Sequence, residues 1–305
     1  MMDETIAIRL EGVEKNRSNF RLGPLHMSIP KGCITAIVGP NGCGKSSSFS
    51  LMLELTKSDT GTIELLGHKV GQGRNTELMK RIGYLPEQSS EHEDNMKGTK
   101  KAEFYRFWYD SWDVNRYREL LRILEVDDNG TLGKMSKGMR RKFEFALALA
   151  HGPELLLLDE PSSGLDPLAW KTMIEILHRY MDQGDHTILM TSHIIEEVKR
   201  LADFIVFMAQ GRVLGMYEKD ELFSSWSTLF ISGDELTAKK AAGAPGQCGV
   251  EHAGGTTYRI TTNKAAEAEK WCASEGINIV SRQALELDEI MSALLMQDRL
   301  SKRLK

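Results

Sequence analysis

The sequence predicts a mostly parallel α/β fold interrupted by a helical insert, with antiparallel strands at its N-terminus and a small α+β domain at its C-terminus. Three observations predict it. Compact apolar runs alternate with amphipathic stretches, strand then helix, through the first two thirds of the chain. Between residues 98 and 150 that alternation gives way to helical periodicity without a convincing strand. Beyond residue 226 the composition shifts towards alanine and glycine.

Taken in order, residues 5–38 read as short strands, the last of them the run ITAIV at 34–38. It ends in a glycine-rich turn, as a buried strand does before a helix. Residues 46–55 look helical, and 62–66 and 82–85 are further strands. Strands return at 155–158, 187–191 and 204–209, separated by helical stretches at 167–182 and 194–201. This alternation implies a parallel sheet with helices on its faces, so the block at 98–150 is an insert. Gln210 and Gly211 turn the chain into a hairpin strand at 212–217. The stretch 239–255 reads as a linker or long loop. After it come a strand at 258–261, a helix at 264–274, a strand at 277–280 and a helix at 285–297. The predicted domains are 1–225, including a helical subdomain at 98–150, and 226–305. The basic ending 299–305 reads as a solvated helix end.

Composition narrows the function. The net charge of −4 gives no reason to expect nucleic acid, which usually demands a basic face. No uninterrupted apolar run approaches the ~20 residues needed to cross a bilayer. Asp3 and Glu4 stand where a secretory signal would be positively charged. Cys33, Cys43, Cys248 and Cys272 form no CxxC pair or metal-ligand cluster and read as reduced thiols. The chain is therefore expected in the cytoplasm.

Two motifs carry chemistry. The run GPNGCGKS at 39–46 fits G-x-x-x-x-G-K-[ST], after a strand and before a helix. The backbone of Gly39, Pro40, Asn41, Gly42, Cys43 and Gly44 can wrap a phosphate chain closely, and the following helix through Ser47 adds its positive end. Lys45 can reach the β- and γ-phosphates, and the Ser46 hydroxyl suits Mg²⁺. Far downstream, LLLLDE at 155–160 is an apolar strand delivering two carboxylates at its C-terminal end. Asp159 is placed to hold Mg²⁺, and Glu160 to polarise an attacking water.

With these motifs the sequence resembles the nucleotide-binding subunits of ABC transporters. MSKGM at 135–139 stands where that family has its signature, usually LSGGQ, with Lys137 and Met139 departing from it. The Ser-Lys-Gly-Met form and the stretch FYRFWYDSWD from Phe104 look like a YtrB-like branch of bacterial single-cassette exporter ATPases. SGLD ending at Asp166 resembles the D-loop, TSH ending at His193 the switch histidine, and Gln88 in GYLPEQ the Q-loop.

The resemblance implies an ABC cassette that binds ATP and Mg²⁺ and hydrolyses ATP. Its partners would be a second cassette, identical or different, and an integral membrane subunit that holds it on the inner face of the membrane. Each ATP would lie between one subunit's P-loop and the other's signature, where Ser136 and Gly138 meet the γ-phosphate. Lys137 either adds charge there or stands in solvent. His193 would bond the γ-phosphate and hold the water with Glu160, while Gln88 touches metal or water. Phe20 or Arg17 could stack on adenine, the stacking role of Phe20 being slightly preferred to its alternative as a hydrophobe on a strand face. Phe104, Trp108 and Trp112, spaced for one helical face, form either the core of the insert or a docking surface for the membrane subunit. A soluble ABC-type ATPase of translation or DNA repair is the alternative, disfavoured by the single cassette and the absence of long coiled coils.

Overall fold

The computed structural model describes residues 5–17, 20–71, 73 and 75–303, the side chains of 299–303 excepted, so the exposure of the basic ending lies outside what is described. The chain divides into two compact units, Met1–Met216 and Tyr217–Lys305.

The first unit opens with two long strands rather than several short ones, β1 (Ile6–Arg17) and β2 (Phe20–Pro30), paired antiparallel. Along β2 buried and exposed residues alternate, as they do when one face of a sheet meets the core. β3 (Ile34–Val38) and α1 (Lys45–Met52) follow. The helix stops short of the expected residue 55, where Glu54 turns to φ +55°. β4 (Thr60–Leu65) and β5 (His68–Val70) complete an antiparallel sheet ordered β2-β1-β4-β5.

After α2 (Thr76–Lys80) and β6 (Ile82–Leu85) comes the helical insert: α3 (Gly98–Trp108), α4 (Val114–Leu124) and α5 (Lys137–Ala150). Here the structure corrects the sequence reading. α3 ends at Trp108 with Tyr109 extended, so Trp112 does not continue the face of Phe104 and Trp108. Instead Tyr105, Tyr109 and Trp112 pack together, while Phe104, Phe107 and Trp108 stay 60%, 86% and 42% exposed.

The chain then returns to the parallel sheet through β7 (Leu155–Asp159), α6 (Pro167–Met181), β8 (Thr187–Ser192), α7 (Ile195–Leu201), β9 (Phe204–Ala209) and β10 (Arg212–Glu218). Strand order is β10-β9-β3-β8-β7-β6, with β9, β3, β8, β7 and β6 parallel. The four leucines of β7 are fully buried, which a sheet covered on both faces requires. Each contributes about 2 kcal/mol by leaving water. Among the described residues no helix is long and apolar enough to cross a membrane.

The second unit starts with the tail of β10 and α8 (Lys219–Ser225). It continues as β11 (Ser227–Ser232), α9 (Glu235–Ala241), β12 (Gln247–Gly254), β13 (Thr257–Thr262), α10 (Ala265–Ser274), β14 (Asn278–Ala284) and α11 (Leu287–Arg303). The sheet order β12-β13-β11-β14, antiparallel throughout, makes β11 to β14 a split β-α-β-β-α-β motif. The stretch 239–255 is therefore no linker: it contains the end of α9 and all of β12. As an edge strand, β12 needs no apolar alternation, which is why its Gly-rich sequence looked like a loop.

Candidate functional site

The parallel sheet gathers the candidate residues at one edge. From β3 the chain runs out to β6, returns through β7 and β8, and crosses to β9 on the other side of β3. Such a reversal opens a crevice beyond the strand C-termini. In register, Asp159 lies opposite Thr191 and Val38 opposite Ser192. The loop after β3, the carboxylates ending β7 and the histidine after β8 thus become neighbours.

The loop from Gly39 to Gly44 follows β3 directly. A Cβ on Gly39 would fall 2.1 Å from the Met208 carbonyl oxygen, so only glycine fits. Gly44, at φ +112°, caps the start of α1. Cys43 is buried, and burial pushes its thiol pKa up. Pro40, Asn41 and Gly42 form an exposed rim, and Ser46 and Ser47 are half-buried. The Lys45 Nζ donates to the Gly39 carbonyl at 2.9 Å and sits 3.6 Å from Glu160 Oε1.

At the end of β7, Asp159 accepts from the Thr191 hydroxyl at 2.6 Å. Burial raises its pKa, opposed by hydrogen bonds from Thr191 and Ser46. A serine hydroxyl against a carboxylate is a hard oxygen pair that fits Mg²⁺. No group of three His, Cys, Asp or Glu among the described residues could hold a metal by itself. Mg²⁺ there would draw further oxygens from phosphate and water. Glu160 adopts φ +48°, rare for a residue with a side chain. Its amide donates to Thr191 Oγ1 at 2.9 Å, and its Oε2 lies 2.7 Å from His193 Nδ1. Lys45, Glu160 and His193 therefore form one cluster.

Other predicted residues occupy separate places. Ser136 is exposed and caps α5, accepting from the Met139 amide at 3.2 Å. Lys137 and Met139 are exposed as well, and the aliphatic stem of Lys137 crosses Gly164. Gly138 is packed so that a Cβ there would come 3.0 Å from the Gly164 carbonyl oxygen. Asp166 caps α6 through the Leu168 and Ala169 amides, both at 2.9 Å. Gln88 stands exposed on the loop after β6. Its neighbour Ser89 donates to Glu144 Oε2 at 2.8 Å, and buried Glu144 also holds Arg140 at 2.9 Å and Lys101 at 3.5 Å. Phe20 and Arg17 both line a small cleft with Ser47 and Leu22, and Phe20 Cζ is 3.3 Å from where a Cβ on Gly44 would lie.

Sequence reasoning missed three groups. Thr191 bridges the Asp159 carboxylate and the Glu160 amide, Glu197 accepts from Ser192 at 2.8 Å beneath the switch loop, and Arg141 is buried against the ends of β6 and β7. Thr191 was legible as the residue two before His193. The partners of Arg141 are main-chain carbonyls remote in sequence, which leave no spacing signal.

A family model described as ABC transporter matches residues 22–163. The bacitracin transport ATP-binding protein BcrA of Bacillus licheniformis is 31% identical over 200 residues, 65% of this chain and 65% of that protein. The chain thus spans just under two thirds of that relative's length. The Nod factor export ATP-binding protein I of Ralstonia nicotianae is 30% identical over 83% of this chain and 81% of its own. The daunorubicin/doxorubicin resistance ATP-binding protein DrrA of Streptomyces peucetius is 33% identical over 72% and 68%. Among solved structures, an ATP-binding subunit of an ABC transporter superposes with a TM-score of 0.64 at 24% identity, covering 72% of this chain and 92% of the other. A dimeric bacterial ABC transporter cassette gives 0.61 at 22% identity, covering 69% and 98%.

Proposed function

The chain belongs to the ABC transporter family, and we propose that it is an ATP-hydrolysing subunit powering export through a separate integral membrane subunit. The observation that carries this reading is Glu160, held between Lys45 and His193 at the sheet edge. A carboxylate so placed can polarise water against a γ-phosphate bound by the loop before α1.

In this mechanism residues 39–47 hold the phosphates, and Lys45 exchanges the Gly39 carbonyl for the β- and γ-phosphates. Mg²⁺ held there would supply positive charge to offset that developing on those oxygens. Ser46 and Asp159 are the residues that would hold it, and Gln88 would meet metal or water. Exposed His193 bonds the γ-phosphate and fixes the attacking water with Glu160. Phe20 stacks on adenine, with Arg17 beside it.

Ser136, Lys137, Gly138 and Met139 open α5 at the surface, and the positive end of a helix suits a phosphate held by a second cassette. Asp166 shapes the adjoining D-loop. ATP bridging two cassettes favours the closed dimer, and hydrolysis removes the bridge. The exposed ring edge of α3, Phe104, Phe107 and Trp108, receives the membrane subunit on the cytoplasmic face. The names of the relatives, which speak of transport, export and resistance, favour export.

Affinity purification of the chain from gently solubilised native membranes tests the reading. A polytopic membrane protein should co-purify at roughly equal stoichiometry and alter the ATPase rate. Ribosomal or DNA-repair proteins in its place would overturn it.

A further inference from the structure

Arg141 lies in the second turn of α5, and its residue is 4% exposed. Its hydrogen bonds go to main-chain carbonyls of two separate loops. Nε donates to Pro161 at 3.1 Å, and Nη2 to Glu160 at 2.7 Å and to Asp159. Nη1 donates to Pro86 and, at the longer distance of 3.5 Å, to Glu87. One guanidinium thus spans the loop leaving β7 and the loop that carries Gln88. A planar fork with five donors is the side chain able to do this; the point charge of lysine is not.

The loop leaving β7 contains the backbone outlier of the site. Glu160 holds φ +48°, a conformation unfavourable for a residue with a side chain unless its surroundings impose it. The peptide groups on either side of Glu160 are both tied: its amide to Thr191 Oγ1 at 2.9 Å, its carbonyl to Arg141 at 2.7 Å. With both held, the side chain leaves the backbone in the direction of Lys45 and His193.

We propose that Arg141 is a positioning residue for hydrolysis, holding the Glu160 backbone in the conformation that aims its carboxylate and tying it to the Gln88 loop. The inference rests on Glu160 being the group that polarises water. Arg141 itself touches no substrate. Its loss misdirects Glu160 while the phosphate-binding loop, on a different strand, keeps its shape.

The test uses the full chain and the variants Arg141→Lys, Thr191→Val and their combination, with Glu160→Gln as reference. Turnover and ATP affinity are measured separately, the latter by equilibrium binding, with melting temperature alongside. Arg141→Lys should lower kcat by about 100-fold, the scale of a misplaced reacting group. Its Kd for ATP should stay within about twofold. The Thr191→Val loss in kcat should shrink when Arg141 is already lysine, because both changes act on one peptide unit. Arg141→Gln repeats the measurement if the lysine variant does not fold.

Wild-type kcat in a folded Arg141 variant, with Glu160→Gln inactive, would overturn the proposal alone. So would parallel loss of kcat, ATP affinity and melting temperature, or strictly additive effects with Thr191→Val. Wild-type turnover in Glu160→Gln would instead remove the reading beneath it.

Discussion

His151, the residue just after α5, should make the first unit lose stability as the solution is acidified. The residue is 2% exposed and stacks on Tyr109 with ring centroids 3.9 Å apart. Neither ring nitrogen has a partner at ordinary hydrogen-bond geometry among the described residues, although the backbone of Ile82 and Leu147 lies nearby. Burial is the main cause that lowers its pKa from 6.5 to about 4, and Arg116 adds to the lowering. The folded protein therefore binds this proton more weakly than the unfolded chain. The stabilisation is complete above pH 6.5 and is lost as pH falls towards 4. At about 1.4 kcal/mol per pH unit, the loss reaches about 3 kcal/mol near the folded pKa. Urea unfolding across that range, followed by circular dichroism and tryptophan fluorescence, measures it. His151→Phe keeps the stack and removes the titrating nitrogens, so its stability should fall less by about that amount. Any constant offset from the larger ring does not affect the comparison of slopes. Parallel pH curves for the two proteins would refute the reasoning.

Two further outcomes are expected. Phe20→Ala should weaken ATP binding by about 1–3 kcal/mol, the worth of one base–aromatic stack, while Phe20→Trp should not; equal affinity in calorimetric titration would remove Phe20 from the base site. Glu144→Ala leaves Arg140 to Glu93 and Asp94 and Lys101 to Glu93 alone, and should cost about 1.5–3 kcal/mol in urea unfolding; a cost below about 0.5 kcal/mol would show that the remaining carboxylates suffice.

Much of the fold was legible because its strands are short, apolar and followed by turn residues. The run at 155–158 could hardly be anything but a buried strand, and the positions of Lys45, Asp159, Glu160 and His193 followed from motifs tied to strand ends. What stayed hidden was what depends on non-local geometry. Nothing near Arg141 in sequence announces carbonyl partners 18 to 55 residues away. Trp112 sat at the right spacing for the face of α3, but periodicity cannot say where a helix stops. β12 was missed because an edge strand rich in glycine has neither the alternation nor the bulk that marks a buried one.

The ion-pair knot around Glu144 has a consequence for how signals cross this molecule. Lys101 belongs to α3, Arg140 and Glu144 to α5, and Ser89 to the loop beside Gln88; one buried carboxylate joins them. A force on α3 is therefore felt by that loop, and a shift in the loop is felt by α3. Thermodynamic linkage makes such a connection symmetric. Whatever factor nucleotide imposes on the affinity of a protein seated on the α3 rings, that protein must impose on the affinity for nucleotide.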